Sequence, residues 1–397
     1  MPTNVTLEAA FTLLAQSCTP LPEQTEPTGQ ALGRPLTRDA FARWDLPPFD
    51  RARCAGYALR AADLHRANHK RPAVLEVLGF VPAGSPATFT VGAGQAVAVE
   101  AGAPLPCGCD CVVPLRDTDG GETSVNVFCQ LWPFDNIERQ GSLVTQGSLL
   151  CPTGTAPDAA RTALLRCAGV EEVSVRSTAR LALLTLGREL TDHTGGPLPP
   201  ACVGDFDLLY LTECWGSAVE GTMGGHCVPE QDALLPKCKE LLSMDFPLLL
   251  VCGGFEAAWE TLTQLGAEAL FCGVKLRHGD RVAALKYRST HILLLPGDPF
   301  AAGTISQLFV RSLLGLLSED ASLLPRREKV RLCSAPAQAR PQRRLLPVTL
   351  REGQAFLTDP DGESMLSLQR MQALLDLPAG EHAQVGDQVS VFVWDTI

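Results

Sequence analysis

The chain has 397 residues, of which 46% are hydrophobic and 19% charged, so it contains enough apolar material for several packed cores. At roughly 150 residues per domain, this length predicts two to four domains. Lysine and arginine number 33 against 44 aspartate and glutamate, which gives a net charge of -11. Proteins that bind nucleic acid normally carry a basic excess, so we expect no nucleic acid partner.

Neither a membrane span nor an export signal is recognised in the sequence. The longest continuous apolar runs, such as residues 246–252, are far shorter than the ~20 residues of a membrane-spanning helix. The N-terminal segment has no basic stretch followed by an apolar block. We therefore expect a cytoplasmic protein without a membrane partner, in which the 15 cysteines are reduced.

Two groups of residues have spacings that metal sites also use. Cys107, Cys109 and Cys111 alternate in the segment LPCGCDCVV, and in an extended strand their thiols would lie on one face. A soft-metal or redox site is one interpretation, and small side chains in a tight turn are the other, which we favour. His65 and His69 have the i,i+4 spacing of zinc ligands on a helix, but without a third ligand a solvated helix face is favoured.

The N-terminal third of the chain predicts helices followed by a β module. Residues 1–22 are predicted to form one amphipathic helix that begins at the N-cap Thr6, and residues 31–47 repeat the helical pattern weakly. Between residues 48 and 134, short apolar segments separated by glycine and proline predict a small β module. Its expected strands lie at residues 74–77, 96–100, 111–114 and 124–128, and a helix is expected at 158–167.

Residues 178–317 have a different pattern, in which apolar strands run directly into glycine turns and helices. Strands are expected at 181–185, 248–252 and 292–295, and helices at 256–265 and 299–317. Strands in which polar and apolar residues do not alternate, and which lead directly into helices, indicate a mostly parallel sheet covered on both faces. Because ligands bind at the carboxyl ends of such strands, we expect a pocket among residues 185–190, 252–256 and 295–300. Beyond residue 325 the pattern is again that of β-strands, at 330–333, 344–350 and 388–394.

Several short motifs follow one another in a fixed order. They are DLPPFD at 45–50 with GYA at 56–58, VPAG at 81–84, GAPLPCGCDCVV at 102–113, LTLGREL at 184–190, GG at 253–254, LPGDP at 295–299, GESMLS at 362–367, LP at 377–378 and VGD at 385–387. In this order they resemble the motifs of the molybdopterin molybdenumtransferases, the family of MoeA and the C-terminal domain of gephyrin. Members of this family insert molybdate into molybdopterin in the last step of molybdenum cofactor synthesis.

The resemblance covers nearly the whole chain and implies an α/β multidomain architecture. The implied parts are an N-terminal helix on the α/β domain (1–22), a linker or dimerisation module (23–47 and 135–175), the small β module (48–134), the α/β domain (176–322) and a C-terminal β-barrel-like domain (323–397). It also implies a homodimer, with the cleft between the α/β domain of one subunit and the small β domain of its partner. The implied ligand is a phosphorylated pterin, with or without an adenylate. Molybdate would be the other substrate, Mg²⁺ the cofactor, and other proteins of molybdenum cofactor synthesis further partners.

The resemblance also implies where the pterin binds. The implied ligand-binding residues are Thr185, Gly187, Arg188, Glu189, Gly253, Gly254, Glu256, Pro296, Gly297, Asp298 and Pro299. Glycines at these turns let the backbone approach an anion and direct the amides of helix N-termini toward it. Candidate metal ligands are Glu189, Asp205 and Asp207, although the two aspartates could equally cap a helix that begins near Leu208.

The sequence departs from the family motifs at three positions where the family has an acid. Ala55 replaces the aspartate of Met-Asp-Gly-Tyr, Ser142 the glutamate of Gly-Glu-Asp, and Arg188 the aspartate of Thr-Gly-Asp-Glu. Carboxylates are the ligands that Mg²⁺ prefers, whereas an arginine binds phosphate oxygens but cannot ligate a cation. The replacements therefore favour retained binding of an anionic pterin over its turnover.

Three functions stay open on the sequence alone. The first is a molybdenumtransferase in which other acids, for example Glu256, Asp280 or Asp298, replace those that are missing. The second is a non-catalytic paralogue that carries, regulates or hands over molybdopterin or the finished cofactor. The third is a dimeric scaffold that serves protein contacts alone.

Overall fold

The computed structural model describes residues 2–191, 198–336, 339–359 and 363–395. The chain divides into two compact units, one formed by Met1–Gln24 with Arg176–Ile397 and the other by Thr25–Val175. Gly362 of the C-terminal motif lies outside the described residues. We describe each unit by itself.

The elements are numbered in chain order. The α-helices are α1 (Leu7–Ser17), α2 (Ala159–Cys167), α3 (Phe206–Trp215), α4 (Gln231–Ser243), α5 (Phe255–Gln264) and α6 (Pro299–Ser318). The first strands are β1 (Thr3–Val5), β2 (Glu23–Pro27), β3 (Ala40–Phe41), β4 (Arg51–Ala52), β5 (Gly56–Leu59), β6 (Ala73–Val81), β7 (Gln95–Val99), β8 (Cys111–Pro114), β9 (Ser124–Val127), β10 (Ile137–Glu138), β11 (Leu149–Cys151) and β12 (Glu172–Arg176). The later strands are β13 (Arg180–Leu186), β14 (Leu190–Thr191), β15 (Val203–Gly204), β16 (Gly221–Cys227), β17 (Leu248–Cys252), β18 (Glu268–Val274), β19 (Ala283–Tyr287), β20 (Thr290–Leu295), β21 (Arg326–Leu332), β22 (Arg344–Arg351), β23 (Gln354–Leu357), β24 (Ala373–Leu377) and β25 (Gln388–Val393).

The Thr25–Val175 unit contains a five-stranded sheet of order β8-β5-β7-β6-β9, where the sequence predicted a small β module. The three alternating cysteines do not share one face of it. Cys111 is buried in the cluster of Tyr57 and Leu59, whereas Cys109 packs against a second cluster, and Cys107 is exposed. The structure agrees with the favoured interpretation of small side chains at a tight turn, because the chain turns at Gly108, where φ is +89°. Burial raises the pKa of Cys109 to about 12 and that of Cys111 further, so both are neutral thiols that fill space.

The other unit is built on a seven-stranded sheet of order β1-β18-β19-β20-β17-β13-β16. Its centre is parallel, since β13 pairs with β16 and β17 and β17 pairs with β20, whereas β19 is antiparallel to both neighbours. All residues of β17 and β20 are buried, and so is β13 after its first residue. Strands covered on both faces need apolar residues at every position, which explains their lack of alternation. The predicted α/β class with a mostly parallel sheet is confirmed.

Helices cover both faces of this sheet and are capped where the sequence provides a cap. Helices α1, α3 and α6 contribute to one hydrophobic core, and α4 and α5 to the other. Thr6, Asp205 and Asp298 each accept a hydrogen bond from a backbone N–H in the first turn of α1, α3 and α6. In the Thr25–Val175 unit, Asp158 caps α2 in the same way. Satisfying an otherwise unpaired N–H in this way stabilises a helix start by about 1 kcal/mol.

By length and composition alone, the α6 helix could cross a membrane. The sequence prediction missed it because its apolar residues do not form one continuous run. However, 94% of its most apolar 18-residue window is buried inside the protein. The helix packs between the central sheet and the C-terminal strands, through residues such as Ile305, Phe309 and Leu313. Its hydrophobicity is therefore explained by its position in the core.

The C-terminal strands form a closed barrel of order β21-β23-β22-β24-β25, which confirms the predicted barrel-like domain. The barrel has its own hydrophobic core, while Leu345, Leu374 and Phe392 belong to the core shared with α6. Arg343 of this region donates two hydrogen bonds, of 2.7 and 2.8 Å, to the nearly buried carboxylate of Asp376, and it also reaches Glu8 of α1. The ion-pair cluster thus ties α1 to the barrel.

Three local predictions are wrong. Residues 1–22 are not one helix, because Thr3–Val5 first pairs as β1 with the edge strand β18. Residues 31–47 contain turns and the short strand β3 instead of a helix. Their buried side chains pack into a hydrophobic cluster of the Thr25–Val175 unit and do not line one face of a helix. The segment of His65 and His69 is not helical beyond Leu64, since Arg66 has a φ of +63°, and His69 instead stacks on Phe128. The two histidines therefore lack the geometry of helical zinc ligands.

Candidate functional site

The carboxyl ends of the central parallel strands meet at one edge of the sheet, as the sequence predicted. In the strand register Thr185 of β13 is opposite Cys252 of β17, and Cys252 is opposite Leu295 of β20. The turns that follow, at Gly187, Gly253 and Pro296–Gly297, are therefore neighbours. All three turns contain residues that the family resemblance implied for ligand binding.

Close approach between these turns requires glycine. A Cβ atom on Gly297 would lie 2.9 Å from the Cα of Gly253, and one on Gly253 would lie 2.6 Å from the carbonyl oxygen of Leu186. Gly253 and Gly254 also have φ values of +80° and +50°, in the left-handed region that glycine adopts without strain. The strand ends consequently present backbone rather than side chains, which is what an approaching oxyanion needs.

The two helices that start at this edge differ in their N-termini. Asp298 caps α6 by accepting a hydrogen bond of 2.9 Å from the N–H of Ala301, and Pro299 at the first position has no N–H to offer. Helix α5 follows directly on Gly254 and has no side-chain cap. The first amide groups of an uncapped helix carry partial positive charge, so the N-terminus of α5 is the better anion-binding position of the two.

Two buried carboxylates lie behind the strand ends. Asp205 is 2% exposed, and its carboxylate accepts hydrogen bonds from the Thr185 hydroxyl and from the N–H of Leu208, 2.9 Å away. Asp207 is 8% exposed, and its Oδ1 atom has no hydrogen-bond partner among the described residues. Of the two interpretations that the sequence left open, helix capping thus holds for Asp205, whereas Asp207 does not cap α3.

The Asp207 side chain is therefore an unusual carboxyl group. Burial, together with the negative charges of Asp205 and Asp298, raises its pKa to about 7. A substantial fraction of the group is protonated near neutral pH, and a protonated carboxyl donates a hydrogen bond that a carboxylate cannot. Raised carboxyl pKa values of this kind are more frequent at functional sites than elsewhere.

The four charged residues predicted for ligand binding lie at the surface of the site, and one of them is Asp298, the exposed cap of α6. Arg188, Glu189 and Glu256 are all exposed, with Glu256 in the first turn of α5. The Arg188 side chain is 74% exposed and forms a close ion pair with Glu230, the residue that precedes α4. Sequence analysis missed Glu230, since nothing in the order of residues indicates that α4 begins opposite the loop after β13. This pairing neutralises part of the charge that Arg188 brings to the site.

The side chains of the described residues do not fit a preformed Mg²⁺ site. They contain no group of three or more His, Cys, Asp or Glu residues placed to hold a metal ion, and Glu189, Asp205 and Asp207 do not form one. Both oxygens of Asp205 are engaged by Thr185 and Leu208, and Oδ1 of Asp298 by Ala301. Asp207 and Glu230 each have a buried oxygen without a hydrogen-bond partner among the described residues, whereas Mg²⁺ requires several oxygen ligands in octahedral geometry.

Two of the three positions with a missing acid belong to the Thr25–Val175 unit. Ala55 precedes β5 and is exposed, and Ser142 lies in an exposed turn after Gly141. Neither side chain provides a charge, and neither needs to be small for packing, because both face solvent. The third position, Arg188, has reversed charge as described above.

The comparisons with known proteins agree with the motif order. The family model for the "MoeA N-terminal region (domain I and II)" matches residues 5–169. Molybdopterin molybdenumtransferase 2 of Mycobacterium tuberculosis is 30% identical over 312 residues, 75% of this chain and 75% of that protein. Molybdopterin molybdenumtransferase of Bacillus subtilis is 29% identical over 296 residues, 72% and 68% of the two chains.

The fold has solved counterparts as well. A molybdopterin biosynthesis MoeA protein from Pyrococcus horikosii superposes with a TM-score of 0.87 over 99% of both chains, at 24% sequence identity. This similarity supports the fold, and the M. tuberculosis relative supports the family over three quarters of the chain. The chain therefore belongs to the MoeA family of molybdopterin molybdenumtransferases, a family of molybdenum cofactor biosynthesis.

Proposed function

We propose that this protein binds adenylylated molybdopterin at the carboxyl end of its seven-stranded sheet and takes part in the insertion of molybdate. The observation that carries the proposal is the close packing of the turns at Gly253, Gly254 and Gly297 beside the uncapped N-terminus of α5. Backbone amides at such turns bind a phosphate without the entropy cost of ordering long side chains. The names of the relatives, molybdopterin molybdenumtransferases, support molybdopterin as the pterin.

The residues around this edge have distinct roles in the proposal. The amides of the glycine turns and of α5 hold a phosphate of the ligand. Asp207 is protonated in a substantial fraction of molecules near neutral pH, and this form donates a hydrogen bond to an anionic oxygen at the strand ends. Thr185 and Asp205 hold the start of α3, and with it Asp207, in position. Water then attacks the pterin-side phosphorus of the phosphoanhydride, and AMP leaves with the bridging oxygen. The two dithiolene thiols of the pterin replace one oxo group of molybdate, which leaves with their protons as water.

A second candidate function is a non-catalytic carrier or regulator of molybdopterin. The observation that favours it is the loss of acidic side chains at Ala55, Ser142 and Arg188, with Arg188 paired to Glu230. A pocket that retains its backbone anion site but lacks carboxylates binds the ligand without a place for a divalent cation. Both candidates share the same binding site and differ in turnover.

The test is a calorimetric titration of the purified protein with adenylyl-molybdopterin, with and without Mg²⁺ and molybdate, followed by quantification of AMP. Release of AMP that depends on molybdate supports the transferase. Binding without release of AMP supports the carrier. Affinity no better than that of an unrelated α/β protein contradicts both. The titrations with and without Mg²⁺ also measure whether the protein depends on this cation.

The proposal includes the assembly and location expected from the sequence. We propose a homodimer in the cytoplasm that exchanges its ligand with other proteins of molybdenum cofactor synthesis. Light scattering coupled to size-exclusion chromatography measures the mass in solution. A mass of one chain, 42.4 kDa, would contradict the dimer.

A further inference from the structure

A cavity of about 740 Å³ lies between helices α3 and α6 and the C-terminal barrel, away from the strand ends. Its lining includes the aromatic Tyr210 and Trp394, the apolar Leu350 and Met371, and the polar Gln307 and Arg311. Gln307 and Arg311 lie 9 and 13 residues beyond Asp298. At 1.5 Å per helical residue this places them about 14 and 20 Å along α6 from its start. The cavity is therefore separate from the proposed pterin site.

Arg311 is a buried cation without a carboxylate partner. Arg311 is 4% exposed and forms no ion pair among the described residues. The nearest carboxylate that influences it, Asp395, is engaged by Arg326 at 2.7 Å. Burial lowers the pKa of Arg311 to about 10, so the guanidinium is still charged at neutral pH. An unpaired buried charge is strongly unfavourable for a folded protein, and such a residue needs an explanation.

The surroundings hold the guanidinium in place without neutralising it. Its carbon atom lies 5.4 Å from the ring centre of Trp215 and 5.0 Å from that of Trp394, so it is bracketed by two cation–π contacts. It donates one hydrogen bond from Nε to Gln307, 3.0 Å away, and one from Nη1 to the carbonyl oxygen of Asp395, 3.3 Å away. A guanidinium has five N–H donors, and three therefore have no acceptor within the described protein.

Among the described residues, the remaining ionisable groups nearby do not neutralise Arg311. Burial raises the pKa of Cys214 and of Tyr210, so both groups are neutral at physiological pH. The Cys214 sulfur accepts a hydrogen bond of 3.0 Å from the amide of Gln307, which orients that amide so that its oxygen faces Arg311. Glu213 lines the cavity but is exposed, so its charge is screened by water.

We propose that this cavity is a second ligand site, which binds a small organic anion with an aromatic or apolar body and one carboxylate or phosphate group. The oxyanion accepts the unused hydrogen bonds of Arg311, whose planar fork matches two oxygens of such a group. The body of the ligand packs against Tyr210, Trp394, Leu350 and Met371. The ligand provides the counter-charge that the described residues do not provide at this position.

The test uses phenyl phosphate and benzoate as probes and benzyl alcohol as the neutral probe of the same size. Binding to the full-length protein is measured by calorimetry and by the fluorescence of the tryptophans that bracket Arg311. We expect both anions to bind and benzyl alcohol not to bind. Two variants remove the anion site in different ways. Arg311→Met removes the charge, and Gln307→Glu supplies a carboxylate that competes with the ligand from within the protein.

We expect each variant to lower the affinity for both anions by about tenfold or more, which corresponds to about 1.4 kcal/mol of binding free energy. Arg370→Met is the control, since it removes an exposed arginine that is close in sequence to the lining residues Leu368 and Met371, and it should leave the affinities unchanged. Absence of binding to the unmodified protein would overturn the proposal, as would equal binding by all four proteins. If Arg311→Met fails to fold, the comparison of Gln307→Glu with the unmodified protein decides.

Discussion

The hydroxyl group of Thr185, at the carboxyl end of β13, donates a hydrogen bond to the buried carboxylate of Asp205, which in turn caps helix α3. The two residues are 1% and 2% exposed, so water does not compete for this contact. The bond fixes the first turn of α3 against the strand end and thereby sets the position of Asp207, two residues further along. One buried hydrogen bond thus joins the sheet to the carboxyl group that has the altered pKa.

Thr185→Val tests this bond, because valine has nearly the shape of threonine but no hydroxyl. We expect a loss of about 1–3 kcal/mol in the free energy of unfolding, because one oxygen of a buried carboxylate loses its donor. Urea denaturation measures the loss. Thr185→Ser keeps the hydroxyl and serves as the control for the bond. Identical urea midpoints for Thr185→Val and the unmodified protein would show that the bond contributes nothing.

Asp207→Asn should change how stability depends on pH. The folded protein holds the Asp207 proton up to a pKa of about 7, whereas the unfolded chain releases it near the usual 3.8. The folded state therefore binds more protons between these values, and this contribution to stability is complete below about pH 4 and lost as the pH rises through 7. Relative to the unmodified protein, Asp207→Asn should gain stability by at most about 1.4 kcal/mol per pH unit over this range.

Urea denaturation at pH 5, 6, 7 and 8 measures this difference between the two proteins, in which groups common to both cancel. Asp232→Asn, at an exposed position in the first turn of α4, provides the control and should show no such trend. A constant difference between the Asp207→Asn variant and the unmodified protein at all four pH values would mean that Asp207 titrates as an ordinary carboxyl.

Gly297→Ala should separate the strand-end turns. The new Cβ atom would lie 2.9 Å from the Cα of Gly253, closer than real contacts allow, so one of the two backbone segments must move. We expect the affinity for adenylyl-molybdopterin to fall by about tenfold or more, the equivalent of about 1.4 kcal/mol. Gly216→Ala is the matched control, because its Cβ atom would meet nothing within 4 Å. Equal affinities of both variants would place the pterin elsewhere.

Restoring the three acids tests whether their loss limits turnover. In the variant Ala55→Asp, Ser142→Glu, Arg188→Asp, carboxylates return to the positions at which the family motifs have them, and carboxylates are the ligands that hard cations prefer. We expect AMP release that depends on molybdate and Mg²⁺ to rise at least about tenfold above that of the unmodified protein, a barrier change of about 1.4 kcal/mol.

The control for this experiment replaces the same residues by neutral isosteres, Ala55→Asn, Ser142→Gln and Arg188→Asn. It reproduces the changes in size and the removal of Arg188 from its ion pair with Glu230, but adds no carboxylate. Similar AMP release from both triple variants would show that the acids are not what limits the reaction.

The sequence by itself determined the class of the fold and the edge of the sheet at which we propose the site. The unbroken apolar runs of β17 and β20 are recognisable because both faces of these strands are covered, so each residue must be apolar. The turns at Gly253 and Gly297 follow these strands directly, and parallel strands bring their ends to one edge. Local caps such as Thr6 and Asp205 could be predicted because a cap acts within three residues along the chain.

Features that depend on distant segments were decided only by the tertiary structure. Thr3–Val5 becomes a strand because the edge of β18 offers it hydrogen bonds, and β16, with the sequence GTMGGHC, becomes one because it pairs with β13. The ion pair of Arg188 with Glu230 arises because the fold brings the loop after β13 close to the start of α4. Arg311 has no ion-pair partner among the described residues, because the fold surrounds it with Gln307 and two tryptophan rings. Electrostatic environment and burial depend on spatial neighbours, and these are absent from local sequence patterns.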